Sequence, residues 1–344
     1  MDTLGLMYRS TDTFDPQDDL PSLTGKVVVV TGGNGGIGYA TIQHLARHGA
    51  KVYMAARDEA KARASIDKLH DEGLAPGDGQ IIWLRLDLNE PSVARAAAEE
   101  LLSQEDRLDI LINNAAMPRG PYTRAQHDIQ DAMMTNHIGP FVFTMTLLPL
   151  LAKTAAEPGS DVRIVNVSSG GIAFLRRGIR FRNRDDFNDE HKWDIIPGPS
   201  LARYCRSKLA NVLFTTELQR RFNEAGTPIV TMSVDPGLVR TEGVENDAAS
   251  QPPGVSHVMS LLIRALWTPP ARGAFTSVFA AAAPVVRAQM ERYKGAYLQA
   301  PGRIGAPPHA DARNPALARE LWDTTNRLLE EMGIKVHDAR RMAS

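Results

Sequence analysis

The chain has 344 residues, 43% of them hydrophobic, with 39 Lys and Arg against 40 Asp and Glu and a formal net charge of -1. That balance carries no nucleic-acid footprint, and the single cysteine, Cys205, excludes an internal disulfide and suits a reducing compartment. The acidic N-terminus is not a signal peptide, and no apolar run reaches the length of a membrane span, so a cytoplasmic protein with no transmembrane segment is expected.

In chain order, residues 1–22 are polar and read as an irregular tail. Four consecutive valines, Val27 to Val30, predict a strand buried on both faces. Thr31-Gly-Gly-Asn-Gly-Gly-Ile-Gly38 follows, and the apolar run Tyr39 to His48 predicts a helix. A strand, a glycine turn and a helix set helix N–H groups where a pyrophosphate can sit. Gly32, Gly36 and Gly38 permit close backbone approach, with Asn34 and Ile37 inside the turn. The bland alternative is a loop that merely turns the chain, but the flanking strand and helix are the context this motif requires.

Lys51 to Ala56 is the second strand, and Arg57 and Asp58 follow it. An acidic residue near this strand end would bind a ribose 2′-hydroxyl, and a basic one a 2′-phosphate. Arg57 therefore points to NADP(H), against the alternative of a solvated arginine beside Asp58. Lys61 to Glu72 reads as a helix with Gly73 beyond its end, and Gln80 to Leu86 as the third strand. Asp87 and Leu88 stand at its carboxyl end, where Asp87 is placed to accept from an adenine amino group. After a helix from Ser92 to Leu102, the fourth strand begins at Leu108 and ends in Asn113-Asn-Ala-Ala116, where Asn113 is a candidate cofactor contact or a simple strand-end asparagine.

A long apolar helix, Ile129 to Leu151, carries Asn136 just before Gly139-Pro140. A polar residue at such a bend suggests a carbonyl or water contact, or else a tolerated kink. Arg163 to Ser169 is the fifth strand. Residues 170–200 form a long insertion, first arginine-rich and then acidic, whose aromatics Phe174, Phe181, Phe187 and Trp193 either contact substrate or pin the loop. Tyr204-Cys-Arg-Ser-Lys208 opens a helix to about Arg221, with Tyr204 and Lys208 on one face. Ile229 to Val234 is the sixth strand, followed by Pro236-Gly237 and Thr241. Residues 242–290 read as a loop and two helices, Ala296 to Gln299 as a last strand, and Pro315 to Met332 as an amphipathic helix. The nine histidines are scattered without metal-ligand spacing, and no metal site is expected.

The continuous alternation predicts an α/β protein: a Rossmann-type, doubly wound, mostly parallel sheet with helices on both faces. The expected division is a tail (1–22), one dehydrogenase domain (23–300) with the insertion, and a C-terminal extension (301–344).

Thr31-Gly-x-x-x-Gly-Ile-Gly38, Asn113-Asn-Ala-Ala116, Asn136, Ser168-Ser169, Tyr204-x-x-x-Lys208 and Pro236-Gly237 together resemble the short-chain dehydrogenase/reductases, over roughly residues 22–300. Within that family Tyr204 to Thr215 is similar to the retinol-dehydrogenase-like and WW-domain-oxidoreductase-like branch and to fungal pathway reductases. Ala116 replaces the usual glycine, and the interval from Ser169 to Tyr204 is long, which puts the substrate in doubt. The resemblance implies hydride transfer between NADP(H) and a small carbonyl or alcohol. In it Tyr204 is the proton donor, its pKa lowered by Lys208; Lys208 also holds the nicotinamide ribose, Ser169 orients the substrate oxygen, and Asn136 holds a water linked to Lys208. Thr241 would bond the carboxamide, although it suits a helix N-cap equally, with Glu242 and Glu245 following. The resemblance leaves the oligomeric state open: members often assemble as homo-oligomers through the two long helices, Ile129 to Leu151 and Tyr204 to Arg221, which the extended C-terminus could alter; it also implies a role in secondary metabolite biosynthesis. The competing readings are a non-catalytic dinucleotide sensor or scaffold, and an epimerase or dehydratase, whose usual glycine spacing differs from this one.

Overall fold

Val27 to Val30 have no side exposed to water. In the computed structural model, which describes residues 14–124, 126–194, 198–241, 243–245 and 255–341, they form β1 (Val27–Thr31). Val27 and Val29 enter one apolar cluster, and Val28 and Val30 the other. Strand alternation thus feeds two cores from one strand, each buried valine contributing about 1.5–3 kcal/mol.

Before β1 lies a short helix, α1 (Pro16–Asp19), capped by the Asp15 carboxylate. It falls within the expected irregular tail and is held because Phe14 packs edge-on against Phe275 and Phe279; residues 1–13 lie outside the described residues. After β1 come α2 (Gly36–Arg47), β2 (Lys51–Ala56), α3 (Glu59–Asp71), β3 (Ile81–Arg85), α4 (Pro91–Gln104) and β4 (Ile110–Asn113). Next are α5 (Asp131–Met133), a π-helical turn (Met134–Ile138), α6 (Gly139–Ala155), β5 (Val162–Val167), α7 (Arg184–Phe187), α8 (Pro199–Ala225) and β6 (Ile229–Asp235). The strand order is β3-β2-β1-β4-β5-β6, continued by β7 (Tyr297–Gln299) and β8 (Arg303–Gly305), and every pairing is parallel except β7 with β8. The sheet is the expected Rossmann-type, mostly parallel one; the antiparallel edge strand β8 is an addition, three residues long behind the turn at Pro301-Gly302.

Three further differences from expectation have local causes. The long helix of the fourth crossover is wound as a π-turn around Asn136, because Pro140 has no N–H to give the Asn136 carbonyl that an α-helix would pair with it. α8 begins at Pro199, whose fixed φ suits a first helical position, so Tyr204 lies inside the helix rather than at its start. The stretch expected to hold two helices breaks, where described, into α9 (Val255–Leu266), α10 (Pro270–Gly273), α11 (Phe275–Ala282), α12 (Pro284–Ala288) and α13 (Met290–Tyr293), with prolines opening two of them. Asp131–Ala155 is long and apolar enough to cross a membrane, contrary to the sequence expectation, but most of it is buried inside the fold, as a core helix would be.

The C-terminal helix α14 (Pro315–Glu331) lies against α8, with Trp322 stacked on Phe214, edge-on to Phe141 of α6 and beneath the Arg221 guanidinium. The extension thus covers part of the surface of α6 and α8, at Phe141, Phe214 and Arg221.

His137, in the π-turn, bonds Thr325 of α14 through Nε2 (2.9 Å) and is ringed by Phe141, Phe187 and Phe214. Burial pushes its pKa down to about 3. The unfolded chain therefore takes up a proton that the native state refuses. This stability is complete above the ordinary histidine pKa and is lost as pH falls from there toward about 3. From about pH 8 to about pH 5, wild type should lose about 2 kcal/mol more than His137→Gln in urea unfolding; parallel pH curves would refute this.

Candidate active site

Thr31 ends β1 with its hydroxyl accepting from the Asn114 and Ala115 amides (3.0 Å each), which locks the glycine turn to the turn after β4. Gly32 (φ +65) lies so close to Ala115 that a Cβ would meet its Cα at 2.8 Å. A Cβ on Gly38 would meet the Gly32 carbonyl at 2.3 Å. Gly35, the N-cap of α2, has no side-chain cap and nothing within 4 Å of where its Cβ would be. The turn is thus closed on its inner side and open before the α2 N–H groups, a cradle that fits a dinucleotide pyrophosphate. Asn34 fixes the outer side, its carbonyl accepting from Ser65, and Ile37 packs on the α2 core. Thr241 reaches over the turn, its Cγ2 3.2 Å from the Cβ position of Gly36. Its carbonyl accepts from Val244 and Glu245, so the backbone also starts a helical turn; Glu242 lies outside the described residues.

Arg57 is exposed at the end of β2. Its neighbour Asp58 caps α3, accepting from the Lys61 amide (3.0 Å), and is committed there rather than to Arg57. Asp87 is half-buried and accepts from the Asn89 amide, while Leu88 is buried beneath Gly139, whose missing Cβ would lie 2.2 Å from the Leu88 carbonyl. Pro236 and Gly237 (φ +77) form the turn after β6, tied by the Gly237 amide to Asp235. Asn113 does not face this rim. Its side chain turns into the sheet and donates to Thr144 and Asn166 (2.9 Å each), so as a cofactor contact its side chain is corrected to a buried cross-strand link.

The ends of β5 and the middle of α8 meet beside this cradle. Ser168 is buried and donates to the Lys208 carbonyl (2.9 Å), a structural bond, whereas Ser169 stands half-exposed, starts a 3-10 turn through the Gly171 amide, and interacts with the Tyr204 phenol. Lys208 is buried, its Nζ donating to the Val167 carbonyl (2.8 Å) and lying 5.7 Å from the centre of the Tyr204 ring. Asn136 holds the amide and carbonyl of Met117 (2.6 and 3.1 Å) and donates to Ser207 (2.9 Å), whose hydroxyl bonds the Tyr204 carbonyl. Its side chain is therefore fully engaged, and any water at this residue falls to its backbone carbonyl.

Burial raises the pKa of the Tyr204 phenol, against which Ser169 and Arg119 act to lower it. Burial also brings the pKa of the Lys208 ammonium down to about 7. The sequence reading missed Thr31, Ser207 and Ser200, which tie these loops together; the hydroxyl three residues after Tyr204 was the available signal. Among the described residues no group of three or more metal-ligating side chains is gathered.

A parallel sheet with a glycine cradle over one helix N-terminus, and a tyrosine, lysine and serine beside it, defines a nicotinamide-dinucleotide oxidoreductase. The short chain dehydrogenase family profile matches residues 26–174. The chain is 43% identical over 331 residues to the short chain dehydrogenase/reductase dpchH of Colletotrichum higginsianum, covering 94% of this chain and 80% of that one. It is 35% identical over 309 residues to mouse (Mus musculus) retinol dehydrogenase 14, covering 87% and 84%. Among solved structures, an uncharacterized protein from Mycobacterium Paratuberculosis superposes with a TM-score of 0.64 at 27% identity over 92% of this chain and 97% of that one. The chain belongs to the short-chain dehydrogenase/reductase family, on the branch that its Tyr204 helix suggested.

The cradle makes opposite demands at two glycines. Gly38→Ala must displace the Gly32 carbonyl, which costs about 1–3 kcal/mol, and should lower both melting temperature and dinucleotide affinity. Gly35→Ala should leave the melting temperature unchanged yet weaken binding, read by quenching of protein fluorescence on titration. Unaltered affinity in both variants would remove the cradle from the binding site.

Proposed function

We propose that the protein is an NADP(H)-dependent reductase that interconverts a small-molecule carbonyl and its alcohol, with Tyr204 as proton donor and acceptor. The observation that carries this reading is that Ser169 bonds the Tyr204 phenol while Lys208 shares its helix face, its Nζ 5.7 Å from the ring centre, beside the glycine cradle. The bound nicotinamide supplies or takes the hydride. Ser169 then holds the substrate oxygen, Tyr204 gives its hydroxyl proton to the oxygen as the alkoxide forms, and the reverse reaction returns the proton to the phenolate. Lys208 stands where it can hold the ribose, and Asn136 keeps the turn bearing Tyr204 in place.

Cofactor choice rests on Arg57. With Asp58 spent on the α3 cap, the strand end offers a cation and no free carboxylate, which suits a 2′-phosphate. Asp87, Leu88, Pro236, Gly237 and Thr241 line the same rim and are assigned to the cofactor, the last to the carboxamide. A place in secondary metabolite biosynthesis accords with the fungal relative, and the buried free cysteine suits the cytoplasm. Among the described residues no feature of the site favours the sensor or scaffold reading over this one.

Two experiments test this. Tyr204→Phe should lower kcat/KM for NADPH-dependent carbonyl reduction by about 100- to 10,000-fold while NADPH still binds; equal turnover would remove Tyr204 from proton transfer, and NADPH binding without turnover by wild type on any carbonyl would support the sensor instead. Arg57→Glu should weaken NADPH about 10- to 100-fold and leave NADH nearly unaffected, as measured by the KM for each. An equal loss for both cofactors would count against the 2′-phosphate assignment.

A further inference from the structure

A second chain segment is strapped along the face of α8 that carries Tyr204. Ser200, Tyr204 and Ser207 are spaced four and three residues apart and share that face. The Ser200 hydroxyl pairs with both backbone groups of Gly120 (2.9 Å each), and the Arg203 guanidinium donates to the same carbonyl (2.8 Å). At the other end, Asn136 grips both backbone groups of Met117 and passes the link through Ser207 to the Tyr204 carbonyl. Met117 to Gly120 is therefore buckled to the turns on either side of Tyr204, and Pro118 and Arg119 bridge the gap between.

Arg119 is half-buried in that bridge, and its charge works against the burial that raises the pKa of the Tyr204 phenol and of the Cys205 thiol. The other groups that face the phenol come from three elements. Cys205 and Lys208 share its helix, Ser169 follows β5, and Asp235 ends β6. Cys205 and Asp235 oppose ionisation, Ser169 favours it, and Lys208 is turned to the Val167 carbonyl. A guanidinium keeps its charge at every working pH, whereas burial lowers the pKa of a lysine.

We propose that Arg119 is a positioning residue for proton transfer: the cation that the Met117–Gly120 strap holds beside Tyr204 to favour its phenolate. The inference rests on Tyr204 being the proton donor and acceptor proposed above. Tyrosinate formation is followed by ultraviolet difference titration of the full chain, with the same titration in a Tyr204→Phe background subtracted, for wild type, Arg119→Gln and Arg119→Lys. Arg119→Gln should shift the Tyr204 signal upward by about one pH unit, tenfold less phenolate at a given pH, and Arg119→Lys should recover most of it. In alcohol oxidation with NADP+, the rising limb of kcat/KM should move by the same amount, with KM little changed. A Tyr204 signal at the same pH in wild type and Arg119→Gln overturns the proposal. So does a loss confined to KM with an unmoved pH profile, which would place Arg119 against the substrate. If wild type turns over no alcohol or carbonyl, the catalytic reading fails, while the titration alone still decides whether Arg119 governs Tyr204.

Discussion

A primary amide buried at 0% exposure must find its hydrogen bonds inside the protein, and Asn136, itself in the π-turn, finds them in two other elements. Its oxygen and one N–H take the two backbone groups of Met117; its nitrogen also reaches Ser207. The loop after β4, the π-turn and the turn of α8 under Tyr204 are thereby one unit. An unsatisfied amide at this depth costs about 1–3 kcal/mol, so none of the three can move without breaking bonds that water cannot replace. The π-turn is what aims Asn136 this way, and it exists because Pro140 cannot complete a regular helix there.

A second constraint comes from the far end of the chain. The Asp311 carboxylate accepts from the Gly178 and Ile179 amides (2.8 and 2.9 Å), and His309 reaches the Leu175 carbonyl. Glu320 takes the Phe181 amide and the Arg180 guanidinium, and Arg184 pairs with Glu331. Backbone groups of Leu175, Gly178, Ile179 and Phe181 in the insertion are thus satisfied by this extension. Phe181 and Phe187 are fully buried against each other and pin the loop, while Phe174 and Trp193 remain exposed. The insertion and the extension are thus complementary parts, and the acidic groups of α14 explain why an arginine-rich loop is tolerated so close to the sheet.

The sheet was legible because its signals are local: alternating buried valines, a glycine turn, and helices with apolar faces. Tyr204 and Lys208 were legible because spacing on one helix sets their shared face. What escaped depends on contacts distant in sequence. Asn113 stands at a strand end in both readings, and only the depth of Thr144 and Asn166 reveals that its side chain points inward. The hydrogen bonding of Lys208 was hidden for the same reason. A lysine one turn away suggests a neighbouring ammonium, but burial lowers that lysine's own pKa and a carbonyl 41 residues away in sequence takes its Nζ. β8 escaped because three residues beyond a Pro-Gly turn carry no pattern.

Several features of the chain work against its stability, and they lie together. Lys208 is buried with the Val167 carbonyl as its acceptor, although a lysine has three donors. The N-terminus of α2 is left without a side-chain cap at Gly35, in open space. The helix of the fourth crossover is widened at Asn136. A leucine or methionine, a serine cap and a regular turn would each serve the fold better. All three departures border the carboxyl ends of β1, β4 and β5, the edge at which parallel sheets of this topology collect ligands. Local rules broken together at one edge, in a chain that otherwise obeys them, point to selection for binding and proton transfer there.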